Sequence, residues 1–392
     1  MIDAAELLDL GDPDVVADPY PHFRVLRQRA PLARHSGLGM YVATGYEQCA
    51  QVLRERGMGR TFRPRVPAAE WETFNWLHAD AILENEPPTH TRLRRLVQGA
   101  FGRGHVERLR PRIEELTAGL LDRCAERLAE TGSFDVIAEL AEPLPVLVIA
   151  ELLGWPQDDR HLLRPWSQAI VKMYEVDRTP EQEAAAVRAS DDFAAYTEQL
   201  AAERTSHPGD DLLSDLVRAR DGADRLTTRE LIATVVLLLN AGHEASVNGF
   251  GNGIVSLLES GGPAGAGAPL VEEMLRHDSP LQMFVRTAFT DVEISGTTIR
   301  AGESVAALLG AANRDPAVFE QPDRFVPERD PNRHLAFGLG IHFCLGAPLA
   351  RLELEVGVEA LLRRFGPLRV AEAHRRPTFV LRGYERMALT RG

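Results

Sequence analysis

Cys344 stands in the run Phe337-Gly-Leu-Gly-Ile-His-Phe-Cys-Leu-Gly346, among Gly338, Gly340 and Gly346, where neither a helix nor a strand tolerates so many glycines. A tight turn is expected there. Such a turn can aim several backbone N–H groups at one sulfur, which favours thiolate over thiol and tunes the electron density offered to a metal. Pro348 suits the first turn of a helix that follows, and the positive end of that helix acts in the same sense. The ordinary alternative for a lone cysteine is a small buried apolar side chain. A dinucleotide fingerprint is excluded, because Gly338-Leu-Gly340 does not continue to a third glycine at the required offset.

Three further segments carry groups that could act together with this sulfur. Glu273-Met-Leu-Arg276 places opposite charges three residues apart, on one helix face. Glu86-Pro-Pro-Thr-His90-Thr-Arg-Leu-Arg94 supplies cations, and Asn240-Ala-Gly-His-Glu-Ala-Ser246 gathers small residues with an acid and a hydroxyl. Taken singly, the two charged segments read as solvated helix faces, and the small residues of the third as close packing of a buried helix. Their order along the chain gives them weight.

In that order they resemble the cytochrome P-450 family, whose ligand loop reads F-x-x-G-x-x-x-C-x-G, often F-G-x-G-x-H-x-C-x-G in bacteria, with every fixed position of the longer form present here. The resemblance runs from DPYPHFRVLR near the N-terminus through AANRDPAVF to HLAFGLGIHFCLG. It implies the P-450 prism fold, mainly α with a smaller β region. It also implies heme b with Cys344 as axial thiolate, and Phe337, Gly338, Gly346 and Ala241 around the cofactor. By the same resemblance His90, Arg94, Arg286 and His342 meet the heme propionates, since two carboxylates in a low-dielectric pocket need cations. Glu273, Arg276 and Arg324 are assigned to a structural ion network. The implied activity is that of a monooxygenase: one oxygen atom from dioxygen enters a small to medium apolar metabolite, probed by the expectation that turnover depends on substrate. Oxidative coupling and peroxide-driven oxidation are the alternatives within that class, and a heme-thiolate carrier or sensor is the alternative outside it.

The family's central helix carries A-G-x-[DE]-T, and here Ala241, Gly242 and Glu244 match while Ala245 replaces the threonine. Proton delivery then passes to ordered water or a substrate hydroxyl, ahead of Glu244 or Ser246, because Ser246 points about 100° away round the helix. The glycines that follow, Gly249, Gly251 and Gly253, either allow close helix packing or leave room for dioxygen and substrate. The family's usual substrate-contacting segments correspond here to Arg60–Glu84, the central helix, the strand after E-x-x-R and the turn near Leu381. They nominate Trp71, Phe74, Trp76 and His78 as an aromatic wall, an ordinary core role being the equal alternative for each, with Leu281, Met283, Phe284 and Leu381 as apolar surface. No flavin or ferredoxin module follows the cysteine helix, so electrons are expected from a separate ferredoxin and its NAD(P)H-dependent reductase, docking on Arg103, Arg108 and Arg112.

The elements that must hold these groups are readable in outline. With 392 residues, 44% hydrophobic and 26% charged, the chain can bury a large core. No linker divides it, so residues 1–392 are expected to form one domain. Its helix-rich core should span about residues 86–280 and 347–365, with β-rich parts at about 30–45, 283–310 and 366–392. Thr227 and Glu230 form a capping-box start to an apolar helix reaching about Leu258. SGGPAGAGAP, residues 260–269, cannot hold a helix and replaces a longer connection in the family. The net charge of −13 argues against general nucleic-acid or anionic-membrane binding, although Arg92, Arg94, Arg95, Arg103, Arg108, Arg110 and Arg112 make one stretch locally basic. Cys49, Cys124 and Cys344 lie far apart with no C-x-x-C pair, which argues against a disulfide framework or structural zinc and fits a reducing cytoplasm. The start MIDAAELLDLGDPD lacks the features of a signal peptide, and Leu231–Leu239 is shorter than the ~20 residues of a membrane span. A soluble monomer is expected.

Overall fold

The computed structural model describes residues 2–98, 103–175, 178–219, 224–262 and 267–392, with residues 103–105 described by backbone only. The N-terminal part holds α1 (Pro13–Ala17), α2 (Tyr20–Arg29), β1 (Leu32–His35), β2 (Met40–Ala43), α3 (Tyr46–Arg54), β3 (Met58–Gly59) and α4 (Glu72–Ala79). A helical body follows: α5 (Thr89–Gln98), α6 (Arg103–Arg108), α7 (Arg110–Thr131), the short β4 (Phe134–Asp135), α8 (Pro143–Leu152), α9 (Arg160–Val171), α10 (Pro180–Ser206), α11 (Leu212–Arg218), α12 (Thr228–Glu259) and α13 (Ala268–His277). The chain then builds β5 (Met283–Ala288), β6 (Val292–Ile294), β7 (Thr297–Ile299), β8 (Ser304–Leu308) and α14 (Leu309–Ala312). It closes with α15 (Ala347–Phe365), β9 (Leu368–Arg375) and β10 (Tyr384–Arg391). Helices α1 to α4 and α14 therefore lie outside the helix-rich ranges expected from sequence.

The largest sheet has the order β1-β2-β8-β5-β3, in which only β2 and β8 run parallel. β4, β10 and β9 form a second sheet, and β6 and β7 a hairpin. The main core joins α4 and α7 to α13 with α15, while α1 and α2 pack a separate apolar cluster against β8.

Helix α12 is the spine of the helical body. Its start is the expected capping box: Thr227 Oγ1 accepts from Glu230 N at 3.2 Å, and the Glu230 carboxylate accepts from Thr227 N at 2.8 Å. The whole helix, longer than the Leu231–Leu239 stretch singled out in the sequence, is long and apolar enough to cross a membrane; 67% of its apolar window is nevertheless buried inside the protein. Such burial is that of a core helix. Its later glycines serve packing. A Cβ on Gly253 would overlap the side chain of Met274 on α13, and one on Gly251 would come within 2.8 Å of Ile137. The room expected there for substrate is filled by neighbouring side chains. Of the glycine-rich connection before α13, Gly261 and Gly262 have positive φ and Gly267 caps the helix; residues 263–266 lie outside the described residues.

The ion network behind the cysteine loop differs from expectation in one member. Glu273 and Arg276 are fully buried and meet through two hydrogen bonds of 2.7 and 2.8 Å. The third charge is Arg329, whose Nε donates to Glu273 Oε2 at 3.1 Å. Arg324 is exposed; it contributes only its carbonyl, which accepts from Arg276 Nη2 at 3.0 Å, while its guanidinium turns to Gln321. The irregular turn between them puts residue 329, not 324, beside the carboxylate. Val326 N and Asn332 Nδ2 complete the shell of Glu273 at 2.7 and 3.1 Å, so the pair tethers α13 to the segment leading to Cys344.

Candidate active site

The cysteine loop is a turn, as its glycines imply. Gly338 and Gly340 take φ values of 69° and 76°. The requirement is strictest at Gly340, where a Cβ would stand 2.5 Å from the Leu53 carbonyl oxygen at the end of α3. Backbone cannot move aside as a flexible side chain could. Gly340→Ala is expected to destabilise the protein by about 1–3 kcal/mol, through overpacking and the unfavourable φ together, as read from the urea midpoint; an unchanged midpoint would contradict this role.

Cys344 N donates to the Phe337 carbonyl at 3.0 Å, closing the loop. Burial pushes the thiol's pKa up, against the backbone N–H groups of Gly346 and Ala347 and the charges of Arg94 and Arg351. These two N–H groups open α15, whose first turn holds Pro348. Arg351 was not singled out in the sequence, although it lies one helical turn beyond Pro348. Its guanidinium lies 4.4 Å from the centre of the Phe337 ring and grips Glu272 at 2.5 and 2.9 Å. Burial raises the Glu272 pKa, but its bonds to Arg351 and His334 outweigh that and hold it at about 2.

A cluster of cations adjoins the loop. His342 Nε2 donates to Glu86 Oε1 at 2.8 Å, and the His90 ring packs 4.5 Å from the His342 ring. Burial, then His342 and Arg94, push His90 down to about 4. Arg94 donates to the carbonyls of Ile341 and Phe343 at 3.1 and 3.0 Å. Arg286, buried in β5, is lowered to about 10 by burial and by Arg60, against the pull of Glu86 and Glu84. Arg60 itself pairs with Glu84 and gives its N–H to Glu86 at 2.7 Å. Arg60 and Glu84 complete the cluster, although sequence placed them only as the bounds of a substrate-contacting segment. Arg60 and Arg286, with His342, thus face Glu84 and Glu86, while Arg94 lies by Cys344; three arginines against two carboxylates leave positive charge in surplus without any from His90.

This donor set fits an iron porphyrin. The described residues hold no group of three or more His, Cys, Asp or Glu suited to a metal, so a metal on Cys344 would take its other ligands from a cofactor. The surplus positive charge suits a cofactor that carries carboxylates, and a Cβ on Gly346, whose N–H backs the sulfur, would meet nothing within 4 Å.

On α12, Leu237, Leu238, Ala241, Gly242 and Ala245 keep access to open space while their neighbours are buried. Their spacing puts them on one face. Glu244 lies off that face, held by Arg376 at 2.7 Å, and Ser246 is buried toward Glu353 on α15. Burial pushes the Glu353 carboxyl up to about 8, eased by the Ser246 hydroxyl. Neither side chain stands in for a hydroxyl at Ala245.

The other candidates divide. Trp71 and Phe74 are only 6% and 3% exposed and belong to the main core rather than to a pocket wall, because α4 turns them inward. The wall at that end is a narrow cleft lined by Leu77, His78, Ala81, Tyr174, Leu237 and Asn240, among others. Trp76 is half-buried beneath Arg229. Leu281 and Leu381 pair by an isolated β-bridge. Met283 and Phe284 point to opposite faces of β5, into different apolar clusters, and Phe284 would touch a Cβ on Gly338. Tyr174 was missed, lying in a segment with no motif. Of the arginines expected to form a docking face, Arg112 is engaged by Glu115 and Glu151, Arg108 is exposed, and the Arg103 side chain lies outside the described residues.

Comparison with known proteins places these features. The sequence profile described as Cytochrome P-450 matches residues 269–379. The chain is 40% identical over 375 residues to "Cytochrome P-450 monooxygenase PikC" of Streptomyces venezuelae, covering 91% of this chain and 87% of that one. It is 37% identical over 398 residues to "Biotin biosynthesis cytochrome P-450" of Bacillus subtilis (strain 168), covering 96% and 97%. Among solved structures, P-450BioI in complex with an acyl carrier protein ligated to hexadec-9Z-enoic acid superposes with a TM-score of 0.89 at 34% identity, covering 97% of this chain and 99% of that one.

Proposed function

Since the chain belongs to the cytochrome P-450 family, we propose that Cys344 would hold the iron of a heme b through its thiolate and that His90, Arg94, Arg286 and His342 would bind its propionates. The protein is a monooxygenase, an oxidoreductase that incorporates oxygen from dioxygen. When bound, the heme supplies the chemistry that inserts an oxygen atom into an unactivated C–H bond. One observation carries the site assignment: a sulfur backed by the N–H groups of Gly346 and Ala347 adjoins a cluster with surplus positive charge.

The chain's own residues have separable tasks in this reading. Arg94 and Arg286 neutralise and orient the propionates, and the Gly346 N–H backs the sulfur. The accessible face of α12, with Ala241 and Ala245, borders the space for substrate and dioxygen. Because Glu244 is held by Arg376 and Ser246 turns to Glu353, water or a hydroxyl of the substrate supplies the proton that the family's threonine helps deliver. The substrate is a small to medium apolar metabolite of secondary metabolism, free or carrier-bound. Electrons come from a ferredoxin and its NAD(P)H-dependent reductase, and residues 1–392 act as a single heme domain.

The test is cofactor retention. Arg286→Leu is expected to raise the rate of heme transfer to apomyoglobin by about tenfold or more, since a charge-assisted hydrogen bond is worth about 1.5–3 kcal/mol. A wild-type rate would remove Arg286 from the propionate contacts.

A further inference from the structure

The cleft between α4 and α12 holds polar groups for which the oxygenation chemistry has no use. Asn240 is 5% exposed, and its Oδ1 has no hydrogen-bond partner. It interrupts an apolar run, following Leu237, Leu238 and Leu239. A buried acceptor left unpaired lowers stability, and an ordered water or a polar group of a ligand would relieve that cost.

The opposite wall presents acceptors as well. His78 Nδ1 lies 2.7 Å from the Phe74 carbonyl, which can only accept, so Nδ1 carries the proton. Burial lowers the pKa of His78 and keeps the ring neutral. Its Nε2 is therefore an acceptor, and the Tyr174 hydroxyl donates a hydrogen bond to it at 3.2 Å. Burial and the charge of Glu84 raise the Tyr174 pKa, so that proton stays in place. With its hydrogen committed to His78, the Tyr174 oxygen keeps lone pairs free at the cleft that this residue lines. Glu84 adds a carboxylate to the same wall. The free volume between them is about 10 Å³, room for about one water or one hydroxyl group.

We propose that this cleft is a hydroxyl-sized subsite, in which the Asn240 carboxamide, turned so that its buried Oδ1 meets the cleft, and Tyr174 Oη accept from an O–H or N–H donor on an otherwise apolar substrate. The inference rests on the monooxygenase reading of the adjoining pocket, which the accessible face of α12 continues from Leu237 to Ala241 and Ala245. Asn240 and Tyr174 thereby act as specificity-determining residues.

The experiment uses heme-loaded protein and a series of N-alkylimidazoles of increasing chain length, each as the terminal alcohol and as its methyl ether. Nitrogen ligation to the iron reports binding by a red shift of the Soret band. At one chain length the alcohol is expected to bind about tenfold more tightly than the ether, the worth of one well-made hydrogen bond to a buried group. Asn240→Leu and Tyr174→Phe should each shrink that gap to about twofold or less while leaving the ether's affinity nearly unchanged. Equal affinities at every chain length in the native protein would overturn the subsite. A gap that survives both substitutions would remove it from these residues. No shift with any azole, in protein that holds heme, would overturn the pocket reading and the subsite together. Without any ligand, Asn240→Leu should also raise the urea midpoint, because it removes an unpaired buried acceptor; a lowered midpoint would mean that Asn240 is satisfied within the protein, and the subsite would fall.

Discussion

Cys344→Ala is expected to abolish the thiolate signature of the reduced carbon monoxide complex and to lower substrate oxidation by more than about 100-fold, since changes one shell beyond a metal ligand already cost about 10- to 100-fold. The other two cysteines provide the contrast. Cys49 and Cys124 are fully buried, with burial pushing the Cys124 thiol up to about 12 and the Cys49 thiol higher still. Cys49 Sγ donates to the Ala43 carbonyl at 3.1 Å, as an inert structural thiol does. Replacing either by alanine should therefore leave the spectrum unchanged. Cys344 differs in having two backbone N–H groups, of Gly346 and Ala347, and two arginines, Arg94 and Arg351, with no opposing carboxylate, whereas Cys49 has Asp315 nearby and Cys124 has Glu139. A Cys344→Ala protein that kept the thiolate band would sink the assignment.

Glu273→Gln is expected to destabilise the protein by about 3–5 kcal/mol, because it leaves Arg276 fully buried opposite a neutral amide and releases Arg329. The measurement is a urea titration with the slope held comparable, so that a shifted midpoint reports stability rather than a changed denatured state. The two arginines of the following segment separate the possible networks. Arg329→Gln should cost several kcal/mol, since its side chain is 9% exposed against a fully buried carboxylate. Arg324→Gln should cost within about 0.5 kcal/mol, because its contribution to Arg276 is a backbone carbonyl that the substitution keeps. Equal losses at both positions would mean that the guanidinium of Arg324 takes part after all.

What could be read without coordinates was local. Glycine spacing around Cys344 implied a turn, and Gly338 and Gly340 do hold left-handed φ values there. Thr227 and Glu230 announced the start of α12 through a capping box that both side chains make. The i,i+3 spacing of Glu273 and Arg276 put them on one face, and they pair. Each of these is a relation between residues a few positions apart, where backbone geometry alone determines who can touch.

Partners distant in sequence were decided by the tertiary structure. Whether residue 324 or 329 reaches Glu273 depends on an irregular turn without a period to read. Gly251 and Gly253 suited an open pocket as well as close packing until Ile137 and Met274 filled the space. Trp71 and Phe74 offered an aromatic wall, yet the docking of α4 turned them into the core and left His78 at the cleft. Asn240, His78 and Tyr174 come from three elements with no shared motif, and only their packing creates a set of acceptors around one small space. The sequence by itself determined the cysteine turn, the capped helix and the charge pair, because short-range sterics and hydrogen bonding act within a few residues. Which side chains face the pocket was decided by long-range packing, since burial depends on what each helix meets.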